Sequence, residues 1–158
     1  MFSQLMSQGL RYRLGLAKWM ELRQIADEAL DAEIYAPSLV DAALDADEWL
    51  HEIGAAFEKA LVELGIALPN SQEECCWALL HHYISQIESR ATKPQPGLEG
   101  VMEVYYGCKL YDRDTNYVGD SHDLSLLIGA YWGYDDLLER PEYVTYNDIK
   151  WRRGCLSI

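Results

Sequence analysis

LVDAALDADEWLHEIGAAFEKALVEL, residues 39–64, is the stretch that decides the fold. Leu39, Ala43, Ala46, Leu50, Ile53, Phe57, Ala60 and Leu64 follow one another in alternating steps of four and three without a miss, the spacing of one apolar face on an α-helix. Ser38 with Asp41 offers a helix-starting cap and Gly65 a left-handed C-terminal stop, while Asp47 could begin a separate helix within the stretch. The intervening carboxylates fall on the outward face.

The same periodicity extends in both directions. Leu14, Leu22, Ile25, Ala26, Ala29 and Leu30 predict a first long helix over 10–34, ended by Tyr35, Ala36 and Pro37. Downstream, Pro69 and Asn70 break the chain. Ser71 and Glu74 have capping-box spacing, and a third helix follows with an inward stripe of Cys76, Leu79, Leu80, Tyr83 and Ile87. A proline-rich connector at 92–97 comes next. Residues 98–110 suit a helix through Val101, Met102, Tyr105 and Cys108 and a strand through Val104, Tyr105 and Tyr106; helix is the reading adopted. After a polar loop, Leu124, Leu127, Ile128, Tyr131 and Leu138 mark a last long helix. The expected architecture is all-α, a single-domain bundle of about five to six helices spanning 1–158, with room for one short β element in the last third.

Composition narrows the function. The net charge is −13, and it is unevenly spread. Residues 1–20 carry Arg11, Arg13 and Lys18 and no acid, whereas residues 21–88 carry fifteen acids against Arg23 and Lys59. Such a field disfavours nucleic acid and anionic membrane and favours a basic protein partner. No run of about 18 apolar residues and no signal peptide is present, so a cytoplasmic, non-membrane protein is expected. Cys75, Cys76, Cys108 and Cys155 lack paired spacing and read as reduced thiols, the first two as buried small hydrophobes.

Chemistry-bearing patterns are incomplete. Asp112, Asp114, Asn116, Asp120 and Asp123 partly match a calcium loop, but Tyr117 stands where the sharp turn needs glycine, leaving a turn-forming acidic loop. Glu48 and His51 stand three apart, as Glu-x-x-His does in di-iron bundles, and with His81 or His82 and His122 they define an alternative, a metal-dependent helical enzyme. No nucleophile elbow or phosphate-binding glycine loop occurs, and no cofactor is expected. The richer signal lies in the last third, where Tyr117, Trp132 and Tyr134 interleave with Asp112, Asp114, Asp120, Asp135 and Asp136. Aromatic anchors beside carboxylates form a recognition face for arginine and lysine.

By its length, its acidity and this Tyr- and Asp-rich surface around 111–123 and 131–136, the chain resembles the small acidic immunity proteins encoded beside polymorphic or contact-dependent bacterial toxins. That resemblance implies a stoichiometric, non-enzymatic inhibitor that occludes a basic toxin domain, its carboxylates standing in for substrate phosphates.

Overall fold

The decisive stretch folds as two helices. The computed structural model describes residues 1–44, 50–110 and 124–139, and these form seven α-helices: α1 (Phe2–Arg13), α2 (Trp19–Asp31), α3 (Pro37–Leu44), α4 (Leu50–Glu63), α5 (Gln72–Glu88), α6 (Pro94–Gly107) and α7 (Ser125–Glu139). No strand occurs among the described residues, so the short β element considered for the last third is not found there. Within 98–110, Val101, Met102, Val104 and Tyr105 are buried along one side of α6, a helical rather than an alternating pattern.

The helix count exceeds five to six because two expected helices are each divided. Between α1 and α2 the backbone turns left-handed at Gly15 (φ +70°), Leu16 N–H bonds back to the Arg11 carbonyl and Gly15 N–H to that of Tyr12. This Schellman arrangement satisfies the last carbonyls of α1, so periodicity running across Gly15 did not mean one helix. Gly65 (φ +72°) closes α4 in the same way, with Ile66 N–H on the Leu61 carbonyl, as its position in the sequence predicts. The Ser71–Glu74 capping box also forms, Glu74 N–H donating to Ser71 Oγ at 3.1 Å and Ser71 N–H to the Glu74 carboxylate at 3.4 Å. At the expected connector only the first residues stay outside helix. Pro94 starts α6, where its missing N–H and fixed φ cost nothing.

The chain, expected as one domain, groups into two compact units, Met1–Leu79 and Leu80–Ile158. In the first, α1 packs on α2 and α4, α2 on α3 and α4, and α3 on α4. Their shared core holds Leu5, Leu22, Ile25, Leu39, Ile53, Phe57 and Leu61, all buried, which places the Leu39, Ile53, Phe57 and Ala60 stripe where its spacing predicts. In the second unit α7 packs on α6. Gly97 and Gly100 give α6 a flat spot that Ile87 and Tyr83 of α5 fill, with an added Cβ on Gly100 lying 2.6 Å from the Tyr83 ring. Cys75 and Cys76 are buried, as expected of small apolar side chains.

Two local features of the first unit carry predictions. Gly54 of α4 lies against the ring of Tyr12 of α1 so closely that an added Cβ would overlap it. Gly54→Ala gains about 1 kcal/mol of helix propensity and loses about 1–3 kcal/mol to overpacking, so a net destabilisation is expected. Truncating Tyr12 to alanine in the same chain should remove the clash; denaturant unfolding of the four chains in this double-mutant cycle would show strong non-additivity.

Glu63, the last residue of α4, supplies the N-terminal cap of α3 across the helix pair. Its carboxylate accepts the Ser38 backbone N–H at 3.0 Å and the Ser38 hydroxyl at 2.8 Å. Those two bonds, the backbone one foremost, hold the Glu63 carboxyl below its ordinary range, and Lys59 adds to the effect. A depressed carboxyl stabilises the fold above the unfolded glutamate pKa of about 4.3, and that contribution is lost as pH falls through the lower folded value. Stability measured from pH 7 downward should therefore fall through the acid range less steeply in Glu63→Gln than in the parent chain.

Candidate functional site

The residues expected to meet a partner divide into those on α7 and those within 111–123. Asp112, Asp114, Tyr117 and Asp120 fall within 111–123, outside the described residues. Leu124, just before α7, and Ile128 on it are buried, while Leu127 and Tyr131 are half-buried; α7 packs on α6. A stripe about 90° round the helix from Ile128 and Leu124 carries Ser125, Gly129, Trp132 and Asp136, all exposed, at steps of four, three and four. One helix face therefore presents the indole and the carboxylate one turn apart.

Trp132 is 46 % exposed and Leu126 74 %. A tryptophan so placed has hydrophobic area still to bury on binding, which is where interface energy concentrates. Its ring is steadied by an edge-on contact with Tyr131, centroids 5.4 Å apart at 75°. Among the described residues nothing lies within 4 Å of a Cβ built on Gly129, one turn before the indole. Tyr134 is half-buried and lies off this stripe by about 200° around the helix from Trp132, so the structure does not bring it to the same face. Asp135 is a residue of α7 as well.

For the alternative metal site, Glu48 and His122 lie outside the described residues. His51 is exposed in the first turn of α4, with Nε2 3.7 Å from its neighbour Glu52. His81 is exposed and His82 half-buried on α5. Burial, and then the charge of His81, pushes the His82 imidazole below its ordinary pKa. Among the described residues no three His, Cys, Asp or Glu side chains are grouped to hold a metal ion.

A feature that the sequence reading missed lies between α1 and α2 of the first unit. Gln4, Gln8 and Arg11 on one wall and Glu21, Gln24 and Glu28 on the other line an open polar cleft of about 400 Å³. The signal was present as helical spacing, steps of four and three on α1 and of three and four on α2. It was hidden because the first helix was expected to begin only at Leu10.

Comparison with known proteins finds no matching family model, no matching curated protein and no matching solved structure.

Proposed function

We propose that this chain is a non-enzymatic binding protein that takes a basic protein partner, and that the partner is the toxin domain an immunity protein neutralises. The observation that carries the reading is the face of α7. There an indole that is 46 % exposed stands one turn from an exposed carboxylate. Indole and carboxylate together suit an arginine or lysine side chain, which can stack on the ring while it pairs with the acid. The net charge of −13 supports the same reading, because complementary fields raise encounter rates with a basic protein. Asp112, Asp114, Tyr117 and Asp120, together with Asp135, extend the proposed contact.

The test is protection. The reading frame adjoining this gene is expressed under an inducible promoter with and without this chain. Growth arrest that this chain relieves in a one-to-one complex is the expected result. A neighbouring product that is harmless alone, or whose toxicity persists beside abundant folded chain, contradicts the proposal.

A further inference from the structure

We draw no further inference here: the strongest candidate, the open polar cleft between α1 and α2, sets donors and acceptors side by side around one exposed carboxylate, that of Glu28, and nothing among the described residues selects a ligand for it.

Discussion

Phe57→Ala should lower the unfolding free energy by about 3–5 kcal/mol, the cost of emptying a fully buried aromatic site that its neighbours only partly refill. Phe57 is completely buried, in a cluster with Leu5 of α1, Leu22 and Ile25 of α2, Leu39 of α3 and Ile53 and Leu61 of its own helix, so its loss disturbs a core that four helices share. Total stabilities are about 5–15 kcal/mol, which makes this one truncation a large share of the whole. For a chain of this length the melting temperature should fall by about 6–20 °C. Thermal unfolding of Phe57→Ala beside Phe57→Leu checks it: the leucine variant refills most of the volume and should lose much less. Equal, small losses in both would mean that α4 is not the centre of the first unit's core.

Trp132→Ala should leave folding almost untouched and weaken partner binding by about thirtyfold to a thousandfold, equivalent to about 2–4 kcal/mol for a hot-spot tryptophan. Both halves follow from its half-exposed position on α7, where the free protein buries only part of the indole. Asp136→Asn should weaken binding less and act mainly on the association rate, because an exposed charge steers more than it anchors. Circular dichroism with titration calorimetry on both variants separates these outcomes. A Trp132→Ala chain that binds as tightly as the parent would move the contact away from α7.

How much of this was legible in the sequence differs from element to element. The stripe members Leu39, Ala43, Ile53, Phe57 and Ala60 were readable because burial imposes the helical period directly on residue type, and the Ser71–Glu74 cap because it is a bond between two nearby side chains and backbone groups. The break at Gly15 was not, since apolar spacing happens to run in phase through it. The left-handed residues Glu33, Arg90 and Lys109 carry no sequence mark at all. At each the chain closes a helix end: Ile34 N–H reaches the Ala29 carbonyl after Glu33, and Leu110 N–H reaches that of Tyr105 after Lys109. Those bonds offset a conformation that such residues seldom adopt.

Site residues show the same division. Trp132 and Asp136 were legible as an aromatic beside an acid, but only the helix phase separates them from Tyr134, which composition alone had grouped with them. The cleft of α1 and α2 escaped notice because glutamines carry no sharp functional signal. Their meaning comes from the wall opposite, and no local pattern supplies that.

The most direct test of partner binding is the association rate with the product of the adjoining reading frame, followed by stopped-flow tryptophan fluorescence as salt is raised. The account predicts a rate that falls steeply between low and physiological ionic strength, where the Debye length shrinks to about 8 Å, with dissociation changing little. A rate independent of salt, or no complex at any salt, would contradict it.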